Sequence, residues 1–281
     1  MLEHTFCHLR GISEKTEKSL WEAGIRDWTD FLEKQQPPLA RKKRERLHAG
    51  LEESRQALAE RDHQFFSRLL PAREHWRLFG AFRDAVAYVD IETTGLSREA
   101  GEITTIALYD GRRIKCYING RNLTDFPRDI RSYDLLVTYN GKCFDIPFMA
   151  EYFDTRFPQS HIDLRYVLKS LGYSGGLKGC ERQFGLARPG LDGVDGYFAV
   201  LLWQAHQSGA CPTALETLLA YNIEDVVNLE HLMHQAYNLK IQALPFAPRL
   251  LLDVPEKPLL PYSPDERLVE ALKVQVRGPC A

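Results

Sequence analysis

The strongest constraint on this fold is a short apolar run, residues 85–91 (AVAYVDI), that leads into two acids spaced two apart, Asp90 and Glu92. Apolar character sustained over so short a stretch suits a strand buried on both faces. On a strand, side chains two residues apart point to the same face. Both carboxylates therefore project together from the C-terminal end of a buried strand, where open α/β sheets place their ligands. Thr93, Thr94 and Gly95 then break the strand into a turn. Taken singly, such a pair is an ordinary solvated strand end, so its meaning depends on the rest of the chain.

Residues 103–109 and 113–118 read as two further strands, joined by Asp110-Gly111, a strong hairpin signal. Residues 135–139 (LLVTY) form a fourth strand, followed by a helix starting near Phe144, and 162–164 suit a short fifth. From there the pattern is helical: Leu164, Val167, Leu168 and Leu171 share one face, and a long helix covers about 213–237. Hairpin-linked strands followed by strands alternating with helices indicate an α/β domain with a mixed sheet and helices on both faces. That domain is expected over 79–240. A small helical domain rich in Lys, Arg and Glu precedes it over 1–78. Over 241–281, Pro245, Pro248, Pro255, Pro258, Pro261 and Pro264 argue for a proline-rich tail, extended against the domain surface.

Two more acids complete the pattern. Asp145 follows the fourth strand in YNGKCFDIPFM, at the entry to a helix, a place where acids are favoured by the helix N-terminus alone. Tyr221 and Asp225 are four apart in AYNIEDVVNL and share a helix face. Leu218, Leu219, Ile223, Val226 and Val227 spread widely around that helix, so Asp225 is expected to be buried and to need a partner. A metal ion would be one. Asp90, Glu92, Asp145 and Asp225 drawn together would repel unless neutralised, and an all-oxygen ligand set selects hard ions such as Mg²⁺ or Mn²⁺. Two such ions would clamp a phosphodiester at its attacking and leaving oxygens.

In order and spacing, DIETTGL, YNGKCFDIPF and Y-x-x-x-D resemble the three exonuclease motifs of the DEDD family, which is ribonuclease-H-like in fold. Tyr221 ahead of Asp225 resembles the tyrosine-bearing branch. The likeness spans roughly residues 84–238, and HIDLR (161–165) with GLKGCERQFGL looks like the YprB-like branch. The resemblance implies two divalent ions. Asp90 would bridge them, Glu92 and Asp225 would hold the ion carrying the nucleophile, and Asp145 would serve the second. Tyr221 would orient the attacking water. The turn through Thr93, Thr94 and Leu96 would contact the terminal nucleotide, and Asn140 would support the motif. Asp163 reads as a strand-edge acid or an auxiliary metal neighbour.

In the N-terminal region, residues 8–32 resemble a helix-hairpin-helix element, with a helix over about 13–23 ended by Gly24 and a second after Asp27. Ser13 stands where that motif usually has its second glycine. The basic cluster RKKRER (41–46) fits a nucleic-acid patch or a solvated helix face. A net charge of -2 does not choose between partners. Six scattered cysteines without C-x-x-C spacing suit reduced thiols in the cytoplasm, and no apolar run is long enough for a membrane span. Gly172–Gly176 fits G-x-S-x-G, but a helix rather than a strand precedes it. The expectation is a 3′–5′ exonuclease acting with two ions on single-stranded DNA or RNA ends. Its rivals are a structure-selective endonuclease and a catalytically silent nucleic-acid-binding or scaffold protein on the same fold.

Overall fold

Strand β1 (Val86–Thr93) is the middle member of a five-stranded sheet in the order β3-β2-β1-β4-β5. The computed structural model describes residues 1–33, 40–95, 101–191, 193–209 and 211–277. β1 runs antiparallel to β2 (Ile103–Tyr109), which pairs antiparallel with β3 (Ile114–Ile118) across the Asp110-Gly111 turn. On its other side β1 runs parallel to β4 (Leu135–Thr138), and β4 runs parallel to β5 (Ser160–Asp163). The sheet is mixed, as the alternation of hairpin and helix-linked strands requires.

Helices α1 (Glu14–Glu22), α2 (Trp28–Glu33), α3 (Arg41–Ala59), α4 (His63–Leu69) and α5 (Phe79–Phe82) precede the sheet. α6 (Phe126–Asp129) and α7 (Asp145–Tyr152) flank β4. After β5 come α8 (Leu164–Ser170), α9 (Gly176–Gln183), α10 (Gly196–Gln207), α11 (Ala214–Gln242) and α12 (Glu266–Arg277).

Alternation along β1 decides what covers each face. Ala87, Val89 and Ile91 pack with Phe148 and Met149 of α7. Val86 and Tyr88 belong to the other apolar layer, with Ile223, Val226 and Val227 of α11. By the same parity Asp90 and Glu92 fall on the α11 side. α11 is buried along most of its length, packed across β1 and β2 and against α10. Its apolar residues must therefore surround it rather than form one stripe.

Of the differences from the sequence expectation, those at β1, at β5 and after α11 have a local reason. β1 extends to Thr93 because its pairing with β2 continues to Thr93 opposite Ile103. β5 ends at Asp163, whose carboxylate accepts from the Arg165 N–H and starts α8 at Leu164. Residues 241–281 are not extended throughout. α11 runs to Gln242, extended chain follows the short helical turn Ala247–Arg249, and α12 begins once the prolines end. There Asp265 caps the N–H groups of Arg267 and Leu268, and Val269 and Leu272 are buried.

The first two helices are short, and Gly24 takes φ +84° after α1. One apolar cluster joins Phe6, Trp28 and Phe66 to Phe82 and Tyr237 of the sheet layer. Its polar anchor is Glu17, 1 % exposed, which accepts from the Phe6 and Cys7 N–H groups and from both terminal nitrogens of Arg77 at 2.9 Å. Removing one partner of such a pair strands a buried charge at a cost of about 3–5 kcal/mol. Glu17→Ala is expected to lose about that much in urea unfolding. Glu45→Ala on the exposed face of α3, where Glu45 pairs with Arg41, should change stability by roughly 0.5 kcal/mol or less. Equal effects of the two substitutions would contradict this account of the joint.

Candidate active site

At the C-terminal end of β1 the pairing with β4 stops after Tyr88 opposite Val137. The strands part there, at the point where antiparallel pairing on one side of β1 meets parallel pairing on the other. A cleft of about 720 Å³ opens at this point, lined among others by Asp90, Glu92, Asn140, Asp145, Tyr221 and Asp225.

Single carboxylate oxygens of Asp90, Glu92 and Asp225 lie within 4.8 Å of one another. Two come from alternate positions of β1 and one from α11, which the strand parity had already set on the same side. Asn222, fully buried, holds the strand to the helix: its side-chain amide donates to Asp90 Oδ2 at 2.7 Å and its oxygen accepts from the Thr105 hydroxyl at 3.0 Å. Asp145 lines the same cleft but stands outside the trio. It arrives from the opposite layer, on the first turn of α7, and its carboxylate accepts from the Ile91 N–H past the last β1–β4 pair.

Burial pushes the Asp90 and Glu92 carboxyls well above their usual range, and the neighbouring Asp225 charge adds to the shift. Burial likewise raises Asp145 from 3.8 to about 7, against the pull of its backbone hydrogen bonds. Two cations partly offset the repulsion. Lys178, at the start of α9, donates to the Tyr221 hydroxyl and sits 4.4 Å from the centre of its ring. Arg188 pairs with Asp225 and also with Glu181. Burial, with Asp225 and Glu92 nearby, raises the Tyr221 phenol, so it stays protonated and acts as a hydrogen-bond donor rather than a base.

A hard divalent ion fits this set. The donors are carboxylate oxygens from three different acids, and their negative charge exceeds that of the cations beside them.

The turn after β4 is built by residues suited to it. Asn140 has φ +67°, and a Cβ on Gly141 would fall 2.2 Å from the Thr138 hydroxyl oxygen, so only glycine fits. From β5, Asp163 accepts from the N–H groups of Asn140 at 2.7 Å and Lys142 at 3.0 Å. Asp163 is thus spent on backbone donors. Thr93 donates to the Gly95 carbonyl and Thr94 accepts from the Glu102 N–H, so both hydroxyls serve the turn after β1, outside the cleft lining. Leu96 lies outside the described residues. Asn222, Lys178 and Arg188 were not singled out by the sequence reading. Asn222 adjoins Tyr221 and Lys178 falls in GLKGCERQFGL, but no spacing rule points to Arg188.

A mixed sheet with buried acids at the point where its strands part defines the class, and comparison with known proteins agrees. The RNase_H_2 model of the RNase_H superfamily matches residues 87–237, more than half of the 281 residues, and the chain belongs to that superfamily. Among solved structures it is similar to the family B DNA polymerase of the archaeon Pyrobaculum calidifontis, at 18 % identity and TM-score 0.41, over 60 % of this chain and 27 % of that one. It therefore spans little more than a quarter of the polymerase. Brucella melitensis NrnC with bound Mg²⁺ is similar at 19 % identity and TM-score 0.41, over 58 % of this chain and 76 % of that one. NrnC bound to pGG matches at 17 % identity and TM-score 0.41, over 60 % and 79 %. The comparison with curated proteins gives no match.

The raised carboxyls set a pH dependence. An acid that holds its proton more tightly when folded contributes stability fully present below its unfolded value and lost as pH rises through its folded value. For Asp145 that window runs from 3.8 to about 7. Asp145→Asn keeps an acceptor for the Ile91 N–H, so in EDTA its Tm relative to wild type should climb across this window. A Tm difference that stays flat with pH would contradict the placement of this carboxyl.

Proposed function

We propose that this chain is a divalent-metal-dependent nuclease that removes nucleotides from a single-stranded 3′ end. The observation that carries the reading is the trio of half-buried Asp90 with buried Glu92 and Asp225, open to a cleft lined also by basic and aromatic side chains. Asp90, Glu92 and Asp225 would hold Mg²⁺ or Mn²⁺, with Asp145 placed for a second ion. Bound there, such ions offset the negative charge that builds on the attacking and leaving oxygens of a phosphodiester. The 3′–5′ polarity, like the kinship with the YprB-like branch, rests on the motif resemblance.

The remaining roles follow from the chain's own groups. Arg165, Lys169 and Lys178 line the cleft and suit phosphates, and Tyr139, Phe144 and Tyr173 offer faces for bases. Arg165 also donates to Asn140, which ties the basic wall to the turn that carries Asp145. Lys178 donates to the Tyr221 oxygen, leaving the phenol O–H free to orient the attacking water. For the turn after Glu92 a contact with the terminal nucleotide would come from backbone or from the Thr94 O–H, since Thr93 spends its proton on the Gly95 carbonyl while Thr94 only accepts.

End-labelled DNA and RNA oligonucleotides, incubated with Mg²⁺ or Mn²⁺ and resolved by length, should shorten one nucleotide at a time from the 3′ end. Asp90→Asn is expected to abolish shortening. Tyr221→Phe, which keeps the ring, should lower kcat about 10²-fold with little change in KM. Absence of cleavage of either polymer with both ions would overturn the reading, and a Tyr221→Phe enzyme as fast as wild type would overturn the role of the phenol.

A further inference from the structure

Arg188 follows α9 in the loop before α10 and is 5 % exposed. Its Nε donates to Glu181 Oε2 at 2.6 Å and its Nη2 to Glu181 Oε1, so the guanidinium fork is fixed on one carboxylate. The same Nη2 meets Asp225 Oδ1. Glu181, 1 % exposed, is held in turn by the Asn228 amide at 3.0 Å, and that amide reaches Glu224 on the same helix at 3.4 Å. Glu224, 2 % exposed, takes its cation from the extended C-terminal segment, where Lys257 donates to Oε1. A continuous polar chain thus runs from Lys257 through Glu224, Asn228, Glu181 and Arg188 to Asp225.

We propose that Arg188 is a positioning residue for the ion site, and that the C-terminal segment reaches that site through this buried relay. The proposal rests on the reading of Asp225 as a metal ligand. A carboxylate on a helix side chain can turn about its terminal torsion. With Oδ1 on a guanidinium that Glu181 holds in a planar fork, Asp225 cannot turn. An oxygen is then kept toward Asp90 and Glu92 before any ion arrives. A lysine would supply the charge but not the fork. Groups that orient metal ligands in this way typically contribute about 10–100-fold to metal affinity.

The test is direct Mn²⁺ binding to the full chain, by calorimetry and by loss of the free-ion electron paramagnetic resonance signal. Wild type is compared with Asp225→Asn, Arg188→Met, Arg188→Lys and Lys257→Met. Asp225→Asn tests the underlying reading alone: if it binds Mn²⁺ as wild type does, Asp225 is no ligand and that reading falls. With Asp225→Asn defective, Arg188→Met should weaken Mn²⁺ binding about 10-fold or more, and Arg188→Lys should stay defective. Lys257 is partly exposed and the Asn228 amide still reaches Glu224 without it, so Lys257→Met, checked for folding by circular dichroism, should weaken Mn²⁺ binding by a smaller, resolvable factor. Wild-type Mn²⁺ affinity in Arg188→Met would overturn the positioning role. Full recovery in Arg188→Lys would show that charge without orientation suffices. Should Arg188→Met fail to fold, Lys257→Met decides: unchanged affinity there overturns the relay.

Discussion

Three carboxylates with oxygens within 4.8 Å of one another repel strongly in a buried site, and much of the surrounding structure consists of what holds them there. Two of the three cannot separate, because Asp90 and Glu92 are alternate residues of one strand. The third is carried by α11, a helix buried on nearly every side, and its position is set by apolar packing against β1 and β2. Hydrophobic burial therefore supplies the force that electrostatics opposes. Asn222 reinforces the same joint with hydrogen bonds to both Asp90 and Thr105. Lys178 and Arg188 bring positive charge beside the trio, through Tyr221 and Asp225.

The parting of β1 and β4 explains why the acids stand at an opening rather than inside a closed core. Once pairing ends at Tyr88 and Val137, the β4 side of β1 has backbone groups to satisfy. Asp145 meets one of them by accepting the Ile91 N–H, and this places a fourth carboxylate beside the trio from the opposite layer. The Asn140-Gly141 turn that delivers Asp145 is itself held by Asp163 from β5. A single discontinuity in the sheet thus creates the cleft and recruits the acid that adjoins its floor.

The sheet was legible in the sequence because its signals are local. Short continuous apolar runs, the Asp110-Gly111 turn and the apolar density around α11 each lie within one short window. The trio was legible for the same reason, once three spaced motifs were read together. What could not be read depends on contacts distant in sequence. Arg188 gives no periodic signal, and its meaning appears only where Glu181 and Asp225 converge on it. Asp163 offered two readings from sequence, and its three backbone donors, at Asn140, Lys142 and Arg165, decide for the structural one. The start of α12 was hidden by the prolines before it, although Asp265 and the spacing of Val269 and Leu272 carry an ordinary helix signal.

The acid trio is proposed here to be a hard-ion site assembled by packing. Anomalous diffraction from crystals grown with Mn²⁺ tests it most directly, since the signal locates the ion without assuming any activity. The account predicts a peak coordinated by carboxylate oxygens of Asp90, Glu92 and Asp225, with Arg188 still paired to Glu181. Crystals that show Mn²⁺ only elsewhere on the chain, with the trio free of any peak, would contradict it.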